Sequence, residues 1–165
     1  MPEPLVLVFD IGTQSARGVL IDRKGSFVRS EREGYTQPYI SRRPAWAEQR
    51  PDYYFERICA LSQRLRAGDP EAFGRVRAVT LCCFRDSTVC LDATGEPLRD
   101  CILWLDQRRA EHPKPLPAYK RALFSLVGMS ETIDTLQRTA ACNWIAENEP
   151  ELWARTDKYV CLSTY

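Results

Sequence analysis

The sequence predicts an α/β fold: a mixed five-stranded sheet with flanking helices and an inserted β-hairpin and helical segment. Three observations carry this. Apolar runs at 5–10, 15–21 and 26–34, joined by short links, imply an antiparallel meander. A helical pattern from Pro51 precedes a fourth apolar run at 76–84, which implies a parallel strand reached by a right-handed crossover. Further helices then lead to a last strand at 158–162, giving the order β-β-β-α-β-(insert)-α-β.

The first strand, Leu5-Val6-Leu7-Val8-Phe9, ends in Asp10 and the turn Ile11-Gly12-Thr13-Gln14-Ser15, before Arg17 opens the second. Five apolar residues bounded by a turn read as a buried strand, so Asp10 sits where the chain leaves the core. Gly12 permits a tight turn and close approach to a ligand. Thr13, Ser15 and the loop N–H groups can donate to an anion, and Arg17 adds charge. Asp10 would repel bare phosphate, so a carboxylate here makes best sense with a divalent cation, Mg²⁺ by preference. The same pattern also suits an ordinary β-hairpin with a polar turn. No Gly-Lys-Ser/Thr follows, which excludes a Walker-type phosphate loop.

Residues 36–50 carry two prolines and little periodicity and read as a loop, in which Trp46 and Glu48 stand out; Trp46 is expected to pack on the domain. Pro51-Asp52 begins a helix, with proline suited to its first turn and the acid to its dipole. Tyr54, Ile58, Leu61 and Leu65 line one face of it, and Gly68 ends it. The strand at 76–84 delivers Arg85-Asp86 at its end, where ligands gather in α/β sheets, though a solvated ion pair is the plainer alternative. Residues 87–91 and 98–104 read as a hairpin around Asp92-Ala93-Thr94-Gly95. Trp104 follows; spacing alone favours a core position, while an indole face is also a good wall for a sugar. Asp106 suits a cap on a helical turn after it. A proline-rich break at 111–117 is followed by helices near 118–127 and 139–148, the second with Ala140, Trp144 and Ile145 facing a core. Pro150 opens a short helical turn carrying Trp153.

With 165 residues, 44% hydrophobic and 27% charged, the chain fits one soluble globular domain with a real core. A net charge of +1 implies no nucleic-acid or membrane partner. Neither a signal pattern nor a membrane-length apolar run is visible. Seven cysteines, an odd number without Cys-x-x-Cys, and a single histidine, His112, fit reduced thiols in a cytoplasmic protein better than a disulfide framework or zinc site.

The order of elements and the Asp-x-Gly-Thr-x-Ser turn resemble one ribonuclease-H-like half domain of the actin-like ATPase superfamily. The finer resemblance is to the FGGY family of carbohydrate kinases. It runs through Asp10-Ile11-Gly12-Thr13-Gln14-Ser15-Ala16-Arg17, Ala45-Trp46-Ala47-Glu48-Gln49-Arg50-Pro51, Phe84-Arg85-Asp86-Ser87-Thr88, Leu91–Leu98, Ile102-Leu103-Trp104-Leu105-Asp106-Gln107-Arg108 and Trp144–Glu151. The resemblance implies transfer of the ATP γ-phosphoryl group to a hydroxyl of a sugar, polyol or sugar acid. It implies that Asp10 organises Mg²⁺ and its waters, and that Gly12, Thr13, Gln14, Ser15 and Arg17 address the ATP phosphates. It further implies that Arg85 and Asp86 hold substrate hydroxyls and that Trp104 is a wall of the sugar pocket, against the preference from spacing.

The chain departs from the family in three ways. Family members are about three times as long, so residues 1–165 are expected to be an incomplete N-terminal domain, inactive alone, with the general-base aspartate lying beyond residue 165. The glycerol kinase branch has a substrate-facing tyrosine where Leu136 stands, which disfavours glycerol. Many members carry a lysine where Ala141 stands. Two other classes compete: an actin-like ATPase used as a conformational switch, and a non-catalytic sugar-binding or interaction module. Apolar surface near Trp144, Trp153 and the last strand is expected to be exposed, inviting self-association into a homo-oligomer.

Overall fold

The computed structural model describes residues 2–165. In chain order the elements are β1 (Leu5–Ile11), β2 (Ser15–Ile21), β3 (Phe27–Gly34), β4 (Glu48–Gln49), α1 (Pro51–Gly68), α2 (Pro70–Gly74), β5 (Val76–Cys83), β6 (Thr88–Leu91), β7 (Cys101–Ile102), α3 (Ala118–Leu126), α4 (Ser130–Thr139), α5 (Ala141–Asn148), α6 (Pro150–Arg155) and β8 (Lys158–Cys161).

The first sheet has the order β3-β2-β1-β5. β1 pairs antiparallel with β2, and β2 with β3, which is the expected meander. β5 pairs parallel with β1, so the crossover through α1 is as expected, and the carboxyl ends of β1 and β5 meet at one edge. Leu5, Leu7, Phe9 and Ile11 alternate onto one buried face of β1, and α1 lays Tyr54, Leu61 and Leu65 into the same core. Gly18 lets that helix approach: a Cβ there would lie 2.9 Å from Leu65 Cδ1 and 3.2 Å from Phe9 Cε1. α1 does not reach over β5, whose Val79 and Leu81 stand open to solvent.

The expected fifth strand of this sheet is not there. β8 instead pairs antiparallel with β6, Thr88 opposite Cys161 and Leu91 opposite Lys158. A second, antiparallel sheet results, in the order β4-β7-β6-β8. The cause lies in β6. Val89, Cys90 and Leu91 are buried there, and β8 covers the edge they present, with the Thr88 hydroxyl donating to the Tyr159 hydroxyl at 2.6 Å. β4 is a second departure, because a two-residue strand has no period to read within the loop at 36–50. The hairpin of β6 and β7 is found where expected. So are α1, α3, α5 and α6; α2 and α4 went unanticipated.

A second core forms around Trp144 and Ile145 of α5 with Cys90, Ile102 and Ala110. Trp46 packs edge-on against Trp144 at 5.3 Å, and Trp153 against Tyr159 at 5.6 Å. The expected exposure near Trp144 and Trp153 is therefore corrected. Large open apolar side chains stand on β5 and along α3, where Leu123 and Leu126 are exposed, and Phe27, Phe55 and Leu136 are exposed as well.

Candidate active site

The turn between β1 and β2 is held by its own backbone. The Gly12 N–H donates to the Ser15 carbonyl at 2.9 Å, and a Cβ on Gly12 would crowd that same oxygen at 3.2 Å. The Gly12 N–H is thus already engaged. The N–H groups of Thr13 and Gln14 make no hydrogen bond within the described residues and are free to serve an anion. Ser15 Oγ accepts two 3.3 Å contacts from the Arg32 guanidinium.

Asp10 lies opposite Arg17 on β2 and opposite Cys82 on β5, and Arg17 lies opposite Arg32 on β3. Laterally paired residues share a face. The register therefore sets Cys82, Asp10, Arg17 and Arg32 in one row on the sheet face away from α1. Arg32 is the cation that sequence reasoning missed; the alternation of β3, counted back from the Ser15–Gly34 pair, was the available signal. Among the described residues no three His, Cys, Asp or Glu side chains cluster to hold a metal. A lone carboxylate beside free amides and two guanidiniums fits a cation shared with a polyphosphate, and does not fit a cage made by protein alone.

Arg85 and Asp86 follow β5 at the same sheet edge, both exposed. Asp86 has φ 58°, a left-handed backbone that aspartate tolerates better than most residues. It lines a cleft of about 540 Å³, together with Thr88, Trp104, Asp106, Arg108 and Tyr159. Ile102, Leu136, Ala140 and Ala141 supply apolar wall. This volume and mixture suit a monosaccharide-sized ligand. Arg85 is not among the lining residues. Burial pushes the Tyr159 phenol up, so it stays protonated at neutral pH.

Trp104 is 54% exposed and stands at the cleft, so the core position favoured by spacing is wrong. Its indole Nε1–H donates to Thr13 Oγ1 at 2.9 Å, and its backbone N–H to the buried Ser87 Oγ at 2.9 Å. Behind the cleft, Arg108 is gripped by Asp106 through Nε at 2.8 Å and Nη2 at 2.7 Å. Its guanidinium lies 3.8 Å from the Trp46 ring centroid and 4.6 Å from that of Trp144. Its Nη1 comes within 3.0 Å of Glu48 without hydrogen-bond alignment. Glu48 is only 2% exposed and also pairs with Arg99 and Arg42. Asp106 accepts from the Arg108 N–H at 2.9 Å and from the Ala47 N–H at 2.6 Å; no helical turn follows it among the described residues, so it closes a loop and the expected cap is corrected.

The N-terminal domain of the FGGY family of carbohydrate kinases matches residues 5–165. The chain belongs to this family. A gluconokinase of Bacillus licheniformis is 26% identical to it over 169 residues, covering 97% of this chain and 30% of that protein. A xylulose kinase of Rhodospirillum rubrum superposes with a TM-score of 0.73 at 24% identity, over 94% of this chain and 31% of the other. A Plasmodium falciparum glycerol kinase solved with ADP superposes at 0.65 and 19% identity, over 96% of this chain and 32% of that one. The chain thus spans about a third of the length of its FGGY relatives. Among the described residues no helix is long and apolar enough to cross a membrane.

Proposed function

We propose that the protein carrying this chain transfers the γ-phosphoryl group of ATP to a hydroxyl of a sugar, polyol or sugar acid, in the cytoplasm. One observation carries the reading: the 2.9 Å bond from Trp104 Nε1 to Thr13 Oγ1 joins the anion-binding turn to the wall of a monosaccharide-sized cleft. Phosphoryl donor and acceptor need adjoining sites, since catalysis of this transfer is mostly positioning and charge stabilisation. The new bond forms between the substrate oxygen and Pγ, the Pγ–O bond to ADP breaks, and the hydroxyl proton passes to a general base. That base is proposed to come from the two thirds of the family's length that this chain does not span.

Within this chain, Gly12 shapes the turn, and Thr13, Gln14, Ser15 and Arg17 hold the phosphates, with Arg32 beside them. Asp10 would hold Mg²⁺, which when bound would supply charge neutralisation on the phosphates. Asp86 accepts from substrate hydroxyls and Trp104 stacks on the C–H face; Arg85, outside the cleft lining, donates to the substrate oxygens only after a change of rotamer. The test is ADP release by the complete gene product over a panel of sugars, polyols and sugar acids, with Asp10→Asn alongside. Asp10→Asn is expected to cut turnover on the order of 10²-fold with sugar binding little changed. Unchanged turnover removes Asp10 from the metal site, and no phosphorylation of any acceptor by the wild type refutes the kinase reading.

A further inference from the structure

We infer that Trp104 is a positioning residue for Thr13, and that through this pair occupancy of the sugar cleft tightens the grip of the turn on nucleotide phosphate. The inference rests on the kinase reading above.

An indole offers one donor and no acceptor, and a hydroxyl offers one donor and two lone pairs. Half-exposed, the Trp104 N–H had water at hand, yet it is aimed across 91 positions of sequence at Thr13 Oγ1. That bond fills one lone pair of Thr13 and leaves its O–H to donate elsewhere. The O–H donates to no group among the described residues and lies beside the free N–H groups of Thr13 and Gln14. Accepting a hydrogen bond polarises a hydroxyl and strengthens it as a donor. Thr13 is thus prepared to donate to an anion at the turn.

The other end of the pair is anchored in the cleft. The Trp104 backbone N–H is tied to Ser87, which is 1% exposed and lies between the cleft residues Asp86 and Thr88. A ring stacked on the indole fixes its plane, and with it the direction of Nε1–H and the place of Thr13 Oγ1. Binding free energies are reciprocal, so nucleotide held by Thr13 also steadies the wall for sugar.

The experiment measures ADP binding, with Mg²⁺, to the complete gene product by calorimetry, with and without a saturating acceptor found in the panel. The wild type is expected to bind ADP at least about fivefold tighter with acceptor present. Trp104→Phe keeps an aromatic wall and loses the donor; it should bring that ratio to within about twofold of unity. Thr13→Val should do the same without altering the cleft wall, which covers the case in which Trp104→Phe does not fold. Thr13→Ser should retain the coupling, and the Phe/Val double variant should lose no more than the worse single one. Coupling kept in Trp104→Phe or Thr13→Val, absent in the wild type, or lost additively overturns the inference and leaves the kinase reading standing. A wild type that phosphorylates no acceptor overturns both.

Discussion

The two sheets are held by different forces. In the β3-β2-β1-β5 sheet, alternate residues of β1 enter one apolar core and meet an α1 face with helical spacing. In the β4-β7-β6-β8 sheet the strands run two to four residues, too short to supply much ladder, and beside the apolar residues they bury stands a cluster of charge. There Glu48 and the Arg108 side chain are both buried, tied to Asp106 and Arg99, with Trp46 and Trp144 against the guanidinium. An apolar core loses stability in proportion to the atoms removed. A buried ion cluster loses far more when one partner goes, because the other charges are left unpaired in a poor solvent.

The largest test of that contrast is Arg108→Ala. It strands Glu48 and Asp106 and opens the space between two indoles, so a loss of about 3–5 kcal/mol is expected in urea unfolding of the chain. A loss under about 1 kcal/mol would mean that the carboxylates find water and that the cluster is less dry than its 2–3% side-chain exposures imply.

The first sheet should respond to volume and not to charge. Gly18→Ala places a methyl 2.9 Å from Leu65 Cδ1, for an expected cost of about 1–3 kcal/mol. Leu65→Ala in the same chain should relieve part of that clash, so the two changes combine to less than their sum. Strict additivity would show that Gly18 is needed for the strand backbone and not for the approach of α1.

The same difference decided what the sequence revealed. β1, β2 and β5 are apolar runs and α1 carries a period, and Asp10, Gly12, Arg85 and Asp86 stand where the runs end, so their common edge could be read directly. Trp104 could not be placed by spacing, because its exposure follows from a long-range bond to Thr13; only the resemblance put it at the cleft. Arg32 looked like one more charge on a polar strand until the register set it beside Arg17. Glu48 stood out, but a partner such as Arg99, 51 positions away, leaves no local trace. β8 was legible as a strand and not as a member of the second sheet, since its alternation is the same beside β6 as beside β5.

The smallest expected effect tests the burial of each sheet by proton binding. Burial pushes the Cys101 thiol, on β7, up to about 12, and the Cys83 thiol, at the end of β5, up to about 11, from an ordinary 9.0. Above pH 9 the unfolded thiols give up their protons while the folded ones keep them. The folded chain then binds more protons, and stability falls as pH rises. The contribution is whole below about pH 9 and is lost on the way to the folded values, by up to about 1.4 kcal/mol per pH unit for each thiol. The urea midpoint should therefore be lower at pH 10 than at pH 8, and Cys101→Ala and Cys83→Ala should each flatten the decline by nearly the same amount, since both folded values lie above this window. Tyr35, Tyr53, Tyr54, Tyr159 and Tyr165, whose phenols burial also pushes up, begin to add to the slope near pH 10, so the thiols are isolated by the difference between each Cys variant and the wild type. A Cys101→Ala variant that leaves the decline unchanged would mean that the floor of β7 opens to water and that its thiol titrates as in the unfolded chain. The second sheet would then be held by its surface ion pairs, with no dry centre to break.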